Sequence, residues 1–253
     1  MVVKEPVIRL SGVTLDYGGN AVVQNVNLDV QSGETKIILG PSGVGKSTIL
    51  KAILGILKPK QGEIYIRGQE ISKLSEQNLV KVRLRMAIVF QQGALFDSMT
   101  VGENVSYRLR EHELMDSKLI PERVQSVLSF VGLKGAVKLR PAQLSGGMKK
   151  RVAIARALAP DPEIFLFDEP TVGLDPINAF NIEQLILKLK GRNVTIVVVT
   201  HDVGSALRLA DQIVMLHEGK FIFEGTPEEL KQNTDKRVRA FLDPAHAGPV
   251  TLE

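Results

Sequence analysis

The sequence contains no cysteine. Disulfides and thiolate-based metal sites are therefore excluded, and the redox compartment stays open. No window approaches the roughly 18 apolar residues of a spanning helix. The longest apolar runs, such as IVVV at Ile196–Val199, are of strand length. The first residues, MVVKEPVIRL, lack a long apolar core after a basic start, so no secretory leader is expected. Internal repeats and low-complexity tracts are also missing. Excess charge of one sign is slight: 32 Lys and Arg against 28 Asp and Glu, a formal net charge of +4. That surplus suits an acidic ligand or an anionic membrane face, but equally a solvated surface, and makes no case for nucleic acid. If such a chain works at a membrane, it docks onto a separate protein that spans it.

What remains is ample for a core. The 253 residues, 44% of them hydrophobic, fit one large domain or a domain with a subdomain. From Val7 to Val30 apolar and polar residues alternate around Gly18-Gly19, which reads as strands joined by a tight turn in an antiparallel sheet. KIIL (Lys36–Leu39) then runs into GPSGVGKST and ILKAILGIL, a strand, a glycine-rich loop and a helix. GEIYIRG (Gly62–Gly68) and MAIVF (Met86–Phe90) read as further strands. From about Gln92 to Gln143 apolar residues recur at helical spacing, as in ERVQSVLSFVGL (Glu122–Leu133). This segment is expected to be a helical insertion in an α/β core. EIFLF (Glu163–Phe167) and VTIVVV (Val194–Val199) suit strands buried on both faces of a parallel sheet. QIVML and KFIFEG look like a closing hairpin turning at Glu218-Gly219, and RVRAFL is a short helix candidate in the tail.

Chemistry concentrates at the ends of these strands. GPSGVGKS, Gly40–Ser47, matches G-x-x-x-x-G-K-[ST] between a strand and a helix. Glycines let backbone N–H groups curl around phosphate oxygens, and the following helix adds its positive end. Lys46 is placed to reach the β- and γ-phosphates, and the Ser47 hydroxyl to coordinate Mg²⁺. IFLFDEP, Ile164–Pro170, puts two carboxylates beyond an apolar strand, where ligands sit in open α/β sheets. Asp168 would hold Mg²⁺, and Glu169 would act as general base on the attacking water. VVVTHD ends a strand at His201, a candidate for contacting the γ-phosphate and orienting water; a structural histidine is the alternative. VFQQ places Gln91 at the end of another strand, as a ligand of Mg²⁺ or water or as an ordinary loop residue. LSGGMKKR (Leu144–Arg151) has Ser145 to cap a helix and Gly146 and Gly147 to admit an anion close to its N–H groups. The following Lys149, Lys150 and Arg151 read as a solvated face, with a phosphate clamp as the alternative.

The order P-loop, VFQ, LSGG, FLFDEP, GLDP, THD resembles the ATP-binding cassette (ABC) ATPases over nearly the whole chain. The resemblance implies a P-loop NTPase core of α/β class with a mixed, largely parallel sheet, an N-terminal antiparallel β subdomain and an inserted α-helical subdomain. Residues 1–91 and 152–230 would form the core, 92–151 the helical subdomain with LSGG, and 231–253 a tail. Gly40, Pro41, Ser42, Gly43, Val44, Gly45, Lys46, Ser47 and Thr48 would bind the ATP phosphates, and Tyr17, in LDYGG, would stack on adenine. Ser47, Gln91 and Asp168 are the implied Mg²⁺ residues; Glu169, His201, Gln91 and Lys46 are the implied catalytic set. Asp175, in GLDP, would lie at a dimer interface. LSGG would complete the ATP site of a second copy of the chain, so that two copies meet head to tail around two ATPs.

About a hundred residues separate the P-loop from LSGG, which leaves no room for the long inserts of DNA-repair relatives. QQGALFDSMTVGENVSYRLREH (Gln91–His112), LSGGM in place of LSGGQ, and KRVRAFL…GPV look like the ATPase of Mla-type phospholipid transporters. That branch implies an integral permease, a lipid-binding protein of the MCE class, in many systems a small STAS-like protein, and a position on the cytoplasmic face of the inner membrane. Rival expectations are the ATPase of a solute importer, a soluble ABC protein acting on DNA or ribosomes, and a nucleotide switch without turnover. The tail has two readings, a frayed end or a docking element.

Overall fold

The structure is a computed structural model that describes residues 5–243. The chain divides into two compact units, one comprising the segments up to Leu79 and from Thr195 onward, the other Val80–Val194.

The first unit opens with β1 (Ile8–Tyr17) and β2 (Asn20–Val30), an antiparallel hairpin closed at the Tyr17–Asn20 pair. β4 (Gln61–Ile66) pairs antiparallel with the other edge of β1, and the short β5 (Gln69–Glu70) adds to β4. Along β2 buried Val23, Val26, Leu28 and Val30 are separated by exposed positions. That is the signature of a sheet with one face on the core and one in water.

The second layer of this unit centres on β3 (Thr35–Leu39), which is flanked by β8 (Thr195–Thr200) and β9 (Gln212–His217), both parallel to it. β10 (Lys220–Gly225) returns antiparallel on β9. Every residue of β3 and β8 is buried, as a parallel sheet covered on both faces requires. The cover comes from α1 (Lys46–Ile53) and α7 (Val203–Leu209). α8 (Pro227–Gln232) and α9 (Lys236–Leu242) follow. RVRAFL thus forms the expected helix, whereas GPV lies outside the described residues.

In the second unit β6 (Met86–Val89) and β7 (Ile164–Asp168) run parallel, with Met86 opposite Ile164 and Val89 opposite Phe167. Stacked Phe165 and Phe167 fill its core. Between the strands come α3 (Val101–Glu111), α4 (Ile120–Phe130) and α5 (Gly146–Leu158). α6 (Pro176–Lys190) follows β7. α5 is the hub, packing on α3, α4, α6 and β6. α2 (Glu76–Arg83), with a single buried residue, Leu79, spans the boundary of the two units in sequence. No helix among the described residues is long and apolar enough to cross a membrane.

Candidate functional site

The phosphate cradle lies in the first unit. β3 ends at Leu39, and α1 begins at Lys46 after a loop of five residues and the cap Gly45. Gly45 has φ of 110°, and a Cβ there would sit 2.9 Å from Val22 Cγ1 and Val23 Cγ2. At Gly40 a Cβ would sit 2.3 Å from the Leu216 carbonyl oxygen, a backbone atom that cannot swing aside. Beyond Gly43, by contrast, the space is open. The loop is thus pressed onto the strands behind it and open in front. α1 presents the positive end of its helix to the loop, and no acidic side chain occupies its first turn. Lys46 is buried and folds back over the loop, its Nζ donating to Gly40 O at 2.9 Å and Pro41 O at 2.8 Å. Thr48 is buried, and Pro41, Val44 and Ser47 are half-buried, while Ser42 is exposed. A glycine-rich loop at a helix N-terminus with a lysine folded over it is suited to a polyphosphate.

The register places His201 beside this cradle. Leu39 of β3 lies opposite Thr200 of β8, so Gly40 and His201 are the next residues at the same sheet edge. His201 is exposed, and the turn after it is fixed: Asp202 N donates to Thr200 Oγ1 at 3.0 Å, and Ser205 N donates to Asp202 Oδ1 at 2.6 Å. The backbone of Tyr17 closes the β1–β2 hairpin; its side chain lies outside what the structure describes.

In the second unit the paired strands β6 and β7 release Gln91, Asp168 and Glu169 at one end. Gln91 is exposed, Asp168 half-buried and Glu169 buried. Glu169 has φ of 47°, left-handed backbone that is uncommon for a residue with a side chain. Its carbonyl accepts from Val172 N at 3.3 Å and from Lys150 Nζ at 3.4 Å. Lys150 does not belong to a solvated face, as the run of basic residues had indicated. It is only 6% exposed, because its position on α5 turns it inward to the Glu169 carbonyl just past β7. Burial pushes its ammonium below the ordinary lysine value, against the opposing pull of Asp168 and Glu169.

The loop after Gln91 is clamped from two sides. Arg156, on α5, donates to Gly93 O at 2.9 Å and Ala94 O at 2.8 Å. Asn104, fully buried on α3, accepts from Phe96 N and donates to the carbonyls of Phe96, Met99 and Thr100. Neither residue was singled out by the sequence reading, since each does its work through backbone groups that no motif displays.

At the start of α5, Ser145 is the N-cap, its Oγ accepting from Met148 N at 3.3 Å. The two glycines after it differ. A Cβ on Gly146 would have only Leu174 nearby, at 3.9 Å, whereas one on Gly147 would strike Asn178 Oδ1 at 2.4 Å. Gly146 therefore keeps an approach open, and Gly147 admits the start of α6. Asn178 is held there by Asp175, the N-cap of α6, which accepts from Asn178 N at 3.0 Å and Nδ2 at 2.6 Å. These bonds, the side-chain one first, hold the Asp175 carboxyl below the usual carboxylate range.

No cluster of three or more His, Cys, Asp or Glu among the described residues is arranged to hold a metal ion. The donors that motif reasoning assigns, Ser47, Gln91 and Asp168, are all hard oxygens. They suit Mg²⁺ completed by phosphate oxygens and water, not an all-protein cage.

Comparison with known proteins gives the family of the chain and its relatives. Residues 23–172 match the family model described as ABC transporter. The intermembrane phospholipid transport system ATP-binding protein MlaF of Haemophilus influenzae is 44% identical over 97% of this chain and 94% of its own. A probable ribonucleotide transport ATP-binding protein, mkl, of Mycobacterium leprae is 39% identical over 97% of this chain and 71% of its own. Among solved structures, the dimeric ATP-binding cassette MJ0796 in a post-hydrolysis state bound to ADP and Pi superimposes with a TM-score of 0.80. It is 37% identical, covering 87% of this chain and 98% of that one.

Proposed function

The chain belongs to the ABC transporter family, and we propose that it is the ATP-hydrolysing subunit that powers phospholipid transport between two membranes. The observation that carries the lipid assignment is the 44% identity to MlaF across almost the full length of both chains. The mycobacterial relative, named for ribonucleotide transport, is less similar and is covered over a smaller share.

In this reading the ring at Gly40–Thr48 holds the ATP phosphates through backbone N–H groups, and Lys46 exchanges its loop carbonyls for phosphate oxygens. Tyr17 stacks on the adenine. Ser47, Asp168 and Gln91 would hold Mg²⁺, which would supply positive charge against the phosphates. Glu169 takes a proton from the attacking water as its oxygen bonds to the γ-phosphorus and the bond from that phosphorus to the β–γ bridging oxygen breaks, releasing ADP. His201 and Gln91 orient that water and the γ-phosphate. Ser145, Gly146 and Gly147 meet the ATP held by a second copy, and Asp175 sits at the junction of the copies. The dimer of MJ0796 supports this arrangement.

Residues 1–91 and 152–230 act as the ATPase core, and residues 92–151 as the helical part that meets an integral permease. An MCE-class lipid-binding protein and a STAS-like protein complete the assembly, with this chain peripheral on the cytoplasmic face of the inner membrane. Lipid analysis of the purified complex tests the substrate: co-purifying phospholipid is expected, and a bound small solute with none would favour a solute importer. Glu169→Gln tests the chemistry. Loss of general base catalysis lowers turnover by about 10²–10⁴-fold, while ATP binding stays and the closed dimer accumulates. Wild-type turnover in that variant would refute the role of Glu169.

A further inference from the structure

We propose that Lys150 is a positioning residue for hydrolysis: from the signature helix α5 it holds the backbone of the catalytic Glu169, so that the helix that contacts a partner's ATP also sets this chain's own base. The inference rests on the reading of Glu169 as general base and of Ser145–Gly147 as the contact to a second copy.

Three observations inside the second unit carry it. First, Lys150 lies about one turn beyond Gly146, the residue that opens α5. A shift of that helix end moves Lys150 with it. Second, its side chain is buried and its Nζ reaches Glu169 O at 3.4 Å. A buried ammonium is costly unless it does something for its neighbours, and here its neighbours are the two carboxylates of the strand end. Third, Glu169 sits at φ of 47°. Non-glycine residues keep that conformation only where surrounding contacts over-determine it, and its carbonyl has two such contacts, Val172 N and Lys150 Nζ. Removing the lysine lets the peptide after Glu169 relax and turns the carboxylate away from its water.

The same helix holds the loop after Gln91 through Arg156. α5 therefore holds backbone beside both groups assigned to the attacking water, through Lys150 near its start and Arg156 near its end. Of the two side chains, Lys150 is the one that bonds the backbone of the base itself.

The test uses the full chain assembled with its partners. Lys150→Met keeps the length and volume of the stem but loses the donor and the charge. It is expected to lower kcat about tenfold or more while KM for ATP stays within about twofold, as for an interaction that matters only in the transition state. Lys150→Arg, which restores a cationic donor, is expected to recover most of the lost kcat. In a Glu169→Gln background the added Lys150→Met is expected to leave the ATP-dependent dimer intact by size-exclusion chromatography, because the signature contact is untouched. Wild-type kcat in Lys150→Met overturns the proposal. So does loss of the dimer in the double variant, which would make Lys150 a support of α5 alone. If Glu169→Gln by itself keeps wild-type turnover, the failure lies in the assignment of the base; a dead Glu169→Gln beside a fully active Lys150→Met sinks only the role of Lys150.

Discussion

In the first unit the phosphate loop is shaped chiefly by missing side chains, with one buried lysine, Lys46, folded over it; in the second the loops at the strand ends are held by cationic side chains, Lys150 buried and Arg156 half-buried. Around the phosphate loop the decisive contacts are those a Cβ would destroy, at Gly40 against the Leu216 carbonyl and at Gly45 against Val22 and Val23. Around the carboxylates the decisive contacts are made by long side chains reaching backbone carbonyls, Lys150 to Glu169 and Arg156 to Gly93 and Ala94. The difference follows from the tasks. A polyphosphate already carries the charge, so its cradle needs little more than N–H groups at close approach and one lysine. A general base must be aimed, and aiming needs side chains that can change partners when a helix moves.

The contrast predicts opposite failures. Gly40→Ala drives a methyl into a backbone oxygen, so the loop itself has to shift. A displacement costing about 3 kcal/mol, the upper end of overpacking, corresponds to roughly a hundredfold loss of ATP affinity. Nucleotide titration of the purified chain measures it directly. Unchanged affinity would show that the loop is not held as tightly as the Leu216 contact implies.

Arg156→Met should do less, and do it elsewhere. Two charge-assisted bonds to carbonyls are lost, about 2 kcal/mol together if the loop finds water. For a chain of this size that lowers Tm by roughly 4–8 °C. Turnover falls because Gln91 is no longer held, but ATP affinity stays within about twofold, since the phosphate ring is made without Arg156. Calorimetry and nucleotide titration on the same sample separate the two effects. An affinity loss as large as that of Gly40→Ala would abolish the distinction drawn here.

The same contrast explains what the sequence made legible. A glycine demanded by geometry is visible as a glycine, so the sequence alone places Gly40–Ser47 across the junction of β3 and α1. Alternation marked β1 and β2, and continuous apolar runs marked β7 and β8, because the two kinds of sheet bury different faces. The basic run after LSGG was misjudged for a physical reason: a lysine bonded to a carbonyl has the same letter as one in water. α6 was passed over although Asp175 and Pro176 announce its start. Exposed Ile177 and Phe180 and buried Glu183 blur the apolar stripe that would have marked it. α2 and α7 offered too little, one with a single buried residue and the other with seven residues in all.

The smallest effect belongs to Met148, where the two modes of construction meet. Its backbone N–H is engaged by Ser145 Oγ at 3.3 Å, and that bond does not depend on the side chain. Methionine and glutamine are both unbranched and nearly equal in helix propensity, so Met148→Gln leaves α5 and its cap in place. What glutamine adds is an amide donor beside the open flank of Gly146. If Ser145 and the backbone carry the contact to a partner's ATP, kcat/KM moves by no more than about twofold. A tenfold gain in the assembled complex would mean that a side-chain donor at this position contributes on the order of 1.4 kcal/mol. The signature end of α5 would then work by reaching side chains, as the rest of the second unit does, and not by bare backbone.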